Sequence, residues 1–274
     1  MHETVKQSQN FLMNTGVLEK IIEFSDLTKD DCVVEIGTGR GNLTKRLVLY
    51  SGEVFTFEID PILYQKTRKE LSLQSNIHFF NQDFLKVDLL QILTPYSNYS
   101  FKVVANIPYH ISTAILFKLI QSPIPWEMLV LMVQKEFYQK IMAQPGEKRR
   151  VPLSVIFQMR YQVKQRFEVS RGSFRPMPRV DSVILKCFPR PCSPNIVTLN
   201  QVANLTQILF QQKRKKISNL IRPFIDPEII QIADIPITKR PEDLTNIEWL
   251  KLSEVINKSK EIETSFSTYK THFR

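Results

Sequence analysis

A series of short apolar runs, separated by segments of helical spacing, most constrains the fold of this chain. Between Cys32 and about Phe188 the runs read, in order, CVVEIG, EVFTFEID, IHFFNQD, FKVVANI, MLVLMVQ and VILKCF. The segments NLTKRLVLYS and PILYQKTRKELSLQ, which separate the first three runs, carry apolar residues at helical intervals. Strands that alternate with helices predict an α/β fold with a parallel sheet and helices on both faces.

The composition of the chain changes near residue 190. The segment FPRPCSPN is rich in proline and small polar residues, and beyond it only helical periodicity continues, to about Ile256. We therefore expect an α/β domain at residues 1–190 and a small α-helical domain at residues 191–274, with a frayed polar tail from Lys258 onwards.

Cysteine usage, charge and hydropathy narrow the class of protein. The three cysteines, Cys32, Cys187 and Cys192, have neither metal-ligand spacing nor the pattern of a disulfide framework, so we expect no metal and reduced thiols. No apolar run approaches the roughly 18 to 20 residues of a membrane span, and the N-terminus lacks the pattern of a signal peptide. We expect a cytoplasmic protein. The net charge of +10 favours a polyanionic partner.

A glycine loop follows the first strand and precedes a helix. Three of the seven glycines, Gly37, Gly39 and Gly41, lie in EIGTGRGN, where they allow positive φ and a close approach of a ligand to the backbone. The spacing is GxGxG, whereas the dinucleotide fingerprint is GxGxxG, whose third glycine packs the helix on the strand beside a pyrophosphate.

Two acidic residues end the next two predicted strands. Glu58 stands about twenty residues after the glycines, where a carboxylate accepts both hydroxyls of a ribose, and Asp83 stands where a side chain meets a base edge. The carboxyl ends of the strands meet at one crevice, which predicts an adenosine-containing cofactor. The glycine spacing favours S-adenosylmethionine over a dinucleotide, although either carboxylate taken alone also fits a helix cap or a surface turn.

The fourth strand is predicted to end on Asn106, followed by Ile107, Pro108 and Tyr109. Methyl transfer to the exocyclic amine of a base needs acceptors for its N–H bonds, which the Asn106 side chain and the backbone carbonyl beside Pro108 supply. Proline stiffens that turn, and Tyr109 offers a face on which an extruded base stacks. The alternative is that Asn106 caps the helix STAILFKLI and that Tyr109 only packs.

With these motifs in place, the chain resembles the ribosomal RNA adenine dimethyltransferases, which include the KsgA-type small-subunit and the Erm-type large-subunit enzymes. The resemblance runs from about Gln7 to Ile256 and rests on SQNFL, EIGTGRGNLT, FEID, NQDF, NIPYHIS and FRPMPRVDSVIL. It implies a Rossmann-like S-adenosylmethionine-dependent methyltransferase domain with a small α-helical domain that binds RNA. It also implies a product, N6,N6-dimethyladenosine in ribosomal RNA, formed by two successive transfers.

The resemblance assigns residues to the site. Phe174 is implied to face the target adenine across from Tyr109. The expected catalytic residues are Asn106, Pro108, Tyr109 and Phe174. The residues implied to line the cofactor site are Asn10, Leu12, Gly37, Gly39, Glu58, Asp83 and Asn106.

The target RNA is less sharply indicated than the chemistry. FQQKRKKISNLI and ITKRPEDLT resemble the small-subunit enzymes, whereas SQNF and NIPYHIS also read as Erm-like and RRVPLSV departs from the small-subunit pattern. We expect a monomer that methylates small-subunit ribosomal RNA, free or in a pre-ribosomal particle, during ribosome assembly. The alternatives are Erm-type methylation of 23S RNA with macrolide resistance, a non-enzymatic RNA- or DNA-binding assembly or transcription factor, and a dinucleotide oxidoreductase.

Basic segments predict where the RNA binds. One lies in a predicted helix of the C-terminal domain, a second lies in a loop, and three arginines, Arg171, Arg175 and Arg179, flank Phe174. Neutralising phosphates would make binding weaken steeply with salt. The residues of the two basic runs are Lys213, Arg214, Lys215 and Lys216 in the helix, and Lys148, Arg149 and Arg150 in the loop.

Overall fold

The computed structural model of the chain describes residues 10–222 and 236–271, those from 259 onwards by their backbone alone. The first part of the SQNFL motif, residues 8–9, therefore lies outside the described residues. The strands are Phe11–Leu12 (β1), Asp31–Ile36 (β2), Glu53–Phe57 (β3), Ile77–Phe80 (β4), Ser100–Asn106 (β5), Trp126–Gln134 (β6), Tyr161–Val169 (β7), Phe174–Arg175 (β8) and Ser182–Pro189 (β9). The α-helices are Thr15–Phe24 (α1), Thr44–Tyr50 (α2), Pro61–Glu70 (α3), Leu89–Leu93 (α4), Ser112–Gln121 (α5), Lys135–Ile141 (α6), Pro152–Arg160 (α7), Ile196–Phe210 (α8), Ile217–Ile221 (α9) and Asn246–Thr271 (α10).

Seven of the strands form one sheet in the order β4-β3-β2-β5-β6-β9-β7. All six predicted strands are present, and the α/β fold class is confirmed. The expectation of an all-parallel sheet is wrong in one respect, because β9 runs antiparallel to both of its neighbours, β6 and β7. Strand β7 was not predicted, because its long polar side chains obscure the alternation in YQVKQRFEV.

The order of the sheet reverses at β2. This strand pairs in parallel with β3 on one side, where Val34 lies opposite Phe55, and with β5 on the other, where Val34 lies opposite Val103. In open α/β sheets a ligand crevice forms at such a switch point, outside the carboxyl ends of the strands. The glycine loop follows β2, and Asn106 is the last residue of β5, so both stand at this crevice.

Apolar side chains from the N-terminal helix and the sheet form one continuous core. Helix α1 begins after Asn14, whose Oδ1 accepts from the backbone N–H of Val17 at 3.1 Å, a capping bond that satisfies an otherwise unpaired helix-end group. Leu18 and Ile22 of α1 pack with Leu47 of α2 in the same buried cluster. This packing holds the chain that leads out of β1 beside the glycine loop.

The chain divides into two compact units. The first contains residues 10–138 and 161–191, and the second contains Gln139–Arg160 together with the chain from Cys192 onwards. In the second unit α7, α8 and α10 pack together, and the rings of Phe210 and Trp249 stack with centroids 5.8 Å apart. The segment 139–160 thus clusters with the C-terminal helices, whereas the assignment of domains to 1–190 and 191–274, and of RNA binding to the second, stays a prediction.

Among the described residues, no helix combines the length and the apolar character needed to cross a membrane. No group of three metal-binding side chains occurs in this part of the chain. The thiols of Cys32, Cys187 and Cys192 are free, and the first two are buried.

Candidate functional site

A cavity of about 230 Å³ opens at the carboxyl ends of the central strands. The residues predicted to contact the cofactor all line it, as do Pro108 and Tyr109, whereas Phe174 is not among the lining residues. The predicted cofactor residues in this lining are Asn10, Leu12, Gly37, Gly39, Glu58, Asp83 and Asn106.

The glycine loop lines the cavity and lies beside the turn after β5. Gly37 has a φ of +84°, a conformation that other residues rarely adopt. Its N–H donates to the carbonyl of Phe57 at the end of β3, at 2.9 Å. A Cβ atom at Gly37 would stand 3.5 Å from Cγ of Pro108. The loop predicted for the cofactor and the turn predicted for the base therefore lie beside each other, with room for little more than a methyl group at Gly37.

The short strand β1 closes another side of the cavity. Leu12 pairs with Phe174 of β8, and its carbonyl accepts from Nδ2 of Asn42 at 2.8 Å. The guanidinium of Arg40 lies 4.6 Å from the ring centroid of Phe11. Sequence reasoning missed Phe11, Arg40 and Asn42 as lining residues, although their position in or beside the quoted motifs was a usable signal.

Glu58 is held by the backbone on both of its oxygens. Oε2 accepts from the N–H of Gly39 at 2.8 Å, and Oε1 accepts from the N–H of Asp60 at 2.9 Å. Burial raises the pKa of Glu58, and these hydrogen bonds partly oppose the rise because they favour the charged form. The carboxylate is thus fixed in orientation, and each oxygen keeps a lone pair for a further donor.

Asp83 lies in a tight turn on the same edge. Its Oδ1 accepts from the N–H of Leu85 at 3.0 Å and caps a short 3-10 helix, Phe84–Lys86. In the described part of the chain, no hydrogen bond engages its Oδ2. The capping alternative is therefore correct for one oxygen of Asp83, and it leaves the other free for a ligand.

Glu35 is a buried acid in the cavity wall that sequence reasoning did not single out. Its Oε2 accepts from the hydroxyls of Thr44 and Thr56, both at 2.7 Å. Burial raises the pKa of Glu35 to about 8, and the two hydrogen bonds only partly oppose this rise. A carboxyl group near the end of a buried strand, two residues before the first glycine of the loop, was the signal that could have identified it.

Asn106 and Tyr109 both line the cavity. The residue before helix α5 is Ile111, with no side-chain capping bond, so the alternative in which Asn106 caps this helix is wrong. The side chain of Asn106 makes no hydrogen bond within the described residues. The hydroxyl of Tyr109 is 2.8 Å from Oγ of Ser182, and burial raises the pKa of Tyr109. This bond holds the ring while leaving the Asn106 amide available.

Phe174 lies in the core. Its side chain is completely buried, in the same apolar cluster as Leu12 and Ile184. Its contact with a target adenine therefore stays a prediction that this arrangement does not itself display. The three neighbouring arginines, Arg171, Arg175 and Arg179, are exposed.

The first basic run is not helical, contrary to prediction. Helix α8 ends at Phe210, and residues 211–215 form successive turns before α9. Nζ of Lys213 donates to the carbonyl of Lys148 at 2.8 Å and pairs with Glu242 at 3.1 Å. The side chains of Arg214, Lys215 and Lys216 are exposed.

The second basic run also contains both exposed residues and a residue held by contacts within the protein. Arg149 is exposed and pairs with Glu147 at 3.3 Å. Arg150 is fully buried, and its guanidinium donates to Oδ1 of Asn246 at 2.8 Å. Burial lowers the pKa of Arg150 to about 10. The RNA-binding roles of both runs stay predictions, and the exposed residues are the ones placed to make such contacts.

Comparison with known proteins assigns the chain to a family. A model described as ribosomal RNA adenine dimethylase matches residues 3–258. The chain is 35% identical over 262 residues to the ribosomal RNA small subunit methyltransferase A of Latilactobacillus sakei, covering 91% of this chain and 88% of that protein. It is 35% identical over 265 residues to the protein of the same name from Oceanobacillus iheyensis, covering 92% of this chain and 90% of that one.

Two solved structures are similar over nearly the whole chain. A dimethyladenosine transferase from Plasmodium falciparum has a TM-score of 0.73 and 28% identity, with 90% of this chain and 98% of that chain covered. The 23S rRNA methyltransferase ErmE has a TM-score of 0.65 and 26% identity, with 90% and 100% covered. The fold is therefore Rossmann-like, of the methyltransferase type, and the chain belongs to the ribosomal RNA adenine dimethylase family.

Proposed function

We propose that the protein is an S-adenosylmethionine-dependent enzyme that dimethylates N6 of adenine in small-subunit ribosomal RNA. One observation carries the proposal: Asn106 and the Pro108 turn line the same cavity as the glycine loop, which lies beside them. An amide acceptor in the same cavity as a cofactor loop has a clear use in methyl transfer to an amine. A protein that only binds nucleic acid has no such need.

The residues of the cavity fit an adenosine group. Glu58 presents a fixed carboxylate for the ribose hydroxyls, and Asp83 presents a free oxygen for the amino group of the base. Ile59, Phe84 and Leu85 add apolar surface between them. S-adenosylmethionine, when bound by these residues, would supply an electrophilic methyl carbon whose bond to sulfur breaks as the bond to the amine nitrogen forms.

Asn106 and the turn beside Pro108 prepare the attacking nitrogen. The lone pair of an aromatic amine is delocalised into the ring, so the amine attacks well only when acceptors hold its N–H bonds and let it pyramidalise. Oδ1 of Asn106 and the carbonyl of Ile107 provide those acceptors, and the ring of Tyr109 supports the base by stacking. Catalysis then rests on positioning and on preorganised dipoles.

The same acceptors serve two transfers. The first transfer replaces one N–H bond by a methyl group, and the monomethylated amine still has one N–H to donate. The nitrogen becomes acidic only as it gains its new bond, so its proton leaves to solvent after the transfer and no strong base is needed beside it.

The relatives support the small subunit as the target. Proteins named ribosomal RNA small subunit methyltransferase A match at 31–35% identity over 91–93% of the chain. Methylation of 23S RNA is the second candidate function, because ErmE shares the fold over 90% of the chain. We infer a monomer acting in the cytoplasm, where ribosomal subunits are assembled.

A particle assay tests the proposal. The protein is incubated with labelled S-adenosylmethionine and with unmodified small-subunit particles, large-subunit particles or naked RNA, and reverse-transcription stops locate the modified bases. We expect label in small-subunit RNA at adenines that carry two methyl groups. Label confined to 23S RNA would support the second candidate instead, and RNA binding without any label would contradict an enzymatic function.

A further inference from the structure

Lys118, on α5, is joined to the turn that carries Asp83. Its Nζ donates to three backbone carbonyls of that turn, those of Phe84 at 2.7 Å, Leu85 at 3.1 Å and Val87 at 2.5 Å. An ammonium has three donors and no acceptor. Every donor of Lys118 is therefore engaged by one short segment of the chain.

This segment forms part of the cavity wall. Asp83, Phe84 and Leu85 all line the cavity, and the turn itself has few internal bonds: Lys86 N–H donates to the Asp83 carbonyl at 2.9 Å and Val87 N–H to the Phe84 carbonyl at 3.3 Å. A 3-10 turn of this length is weakly held by its own hydrogen bonds. Its position therefore depends on contacts from outside.

Lys118 supplies a charged contact of this kind, beside the apolar packing of Phe84 on Phe57. Its side chain is half-buried, and its ammonium also lies 5.2 Å from the ring centroid of Phe84. Hydrogen bonds from a charged donor are about twice as strong as neutral ones. Burial lowers the pKa of Lys118, whereas the charges of Asp83 and Asp88 oppose that effect by favouring the ammonium.

We propose that Lys118 is a positioning residue for cofactor specificity. It holds the turn of residues 83–87 in the position where the free oxygen of Asp83 accepts a hydrogen bond from the amino group of the adenine. The inference rests on the proposed function, because it assumes an adenosine group in the cavity. Lys118 itself does not line the cavity, so it acts only through the turn.

Two ligands that differ only at the base test this role. S-adenosylhomocysteine carries the adenine amino group, and S-inosylhomocysteine has a carbonyl oxygen in its place, which a carboxylate repels. Titration calorimetry gives the dissociation constant of each ligand. We expect the wild-type chain to prefer the adenine ligand by at least about tenfold, the ratio that one charge-assisted hydrogen bond supplies.

Lys118→Met keeps the aliphatic chain and removes the three donors. We expect this variant to weaken the binding of S-adenosylhomocysteine by about tenfold or more and the binding of S-inosylhomocysteine much less. The ratio of the two dissociation constants should therefore approach one. Lys86→Met is the matched control, because Lys86 is an exposed lysine of the same turn, and it should keep the wild-type preference.

Two further variants keep the test decisive. Lys118→Gln, which retains amide donors at a shorter reach, should give a preference between those of the wild type and Lys118→Met, and it carries the test if the methionine variant does not fold. When Lys118→Gln is added to the Asp83→Asn variant, the preference for the adenine ligand should change little, because both substitutions act on the same contact.

The opposite results separate this inference from the proposed function. Equal weakening of both ligands in the Lys118 variants, or an unchanged preference, would overturn the positioning role alone. A wild-type chain that binds neither ligand would overturn the proposed function and this inference with it.

Discussion

At the scale of single residues, Asn106 combines a fixed backbone with an available amide. Its Cα stands opposite that of Met132 in the sheet, at the last position of β5. Its side chain has no hydrogen-bond partner in the described part of the chain. The side chain therefore contributes little to folding, and a change there should report on chemistry.

Replacing Asn106 with alanine should remove one acceptor for the amine. We expect turnover to fall by about 10²- to 10³-fold, the usual cost of losing one preorganised catalytic dipole, with a melting temperature close to that of the wild type. Transfer of labelled methyl groups to small-subunit particles measures the first quantity and thermal unfolding the second. Asn98→Ala, at an exposed loop asparagine, is the control; near-normal turnover in Asn106→Ala would sink the mechanism.

The hydrogen bond between Tyr109 and Ser182 predicts a coupled pair. Ser182 is completely buried, so Ser182→Ala should cost about 1 kcal/mol of stability and should reduce turnover more than it reduces affinity for S-adenosylhomocysteine, since the freed ring no longer supports the base. Tyr109→Phe breaks the same bond from the other side. A double-mutant cycle of the two substitutions should show losses in turnover that do not add, and additive losses would contradict the coupling.

Glu35 predicts a pH dependence of stability. Its pKa in the folded protein, about 8, lies above the ordinary value of 4.5, so the folded state binds the proton more tightly than the unfolded state does. The stabilisation is complete below the ordinary value and is lost as the pH rises through about 8.

Glu35→Gln should remove this dependence. Between pH 5 and pH 9, the unfolding free energy of this variant should fall less steeply with pH than that of the wild type. The two slopes should differ by up to about 1 kcal/mol per pH unit. Denaturant titrations at a series of pH values measure it. Parallel curves for the two proteins would show that Glu35 ionises as an ordinary carboxyl group.

At the scale of elements, the turns after α8 show why a basic run was misread as a helix. Helical propensity favours lysine and arginine, but the run has no apolar face to bury. The helix ends instead at Phe210, whose ring stacks on Trp249, and Lys213 turns back to Glu242. Tertiary packing thus overrode local propensity and left three cations exposed between α8 and α9.

These three cations should determine the salt dependence of RNA binding. We expect Arg214→Gln, Lys215→Gln and Lys216→Gln in combination to weaken binding to small-subunit RNA and to lower the slope of log affinity against log salt by up to about 0.9 for each phosphate that is no longer neutralised. Lys213→Gln is the contrasting variant, because its ion pair lies within the same unit and its removal should affect stability more than the slope. An unchanged slope in the triple variant would count against RNA binding at this turn.

Strand β9 shows a second limit at the element scale. Its apolar run VILKCF predicted a strand correctly, but an apolar pattern is the same whichever way the strand runs. The direction is decided by the partner on each side, β6 and β7, and β7 was not predicted. A strand whose neighbour is missing from the prediction has no constraint on its direction.

At the scale of the whole molecule, the sequence by itself determined the order of six of the strands and which residues line the cavity. Each predicted cofactor motif follows a strand or ends one in the printed sequence: the glycine loop, Glu58, Asp83 and Asn106. Because the parallel strands of one sheet end at one edge, these motifs meet there. Local patterns of period two or 3.6 and residues next to them in the chain suffice for that conclusion. Recognition of the family motifs added Asn10 and Leu12, which local patterns alone do not indicate.

Tertiary structure alone decided the contacts that support this site. Tyr109 and Ser182 are 73 residues apart, and Lys118 reaches the Phe84 carbonyl across 34. Burial of Arg150 and of Phe174 likewise depends on elements that meet only in the fold. A linear pattern records what a residue is and what precedes it, whereas a hydrogen bond or a buried charge depends on which distant segment packs against it.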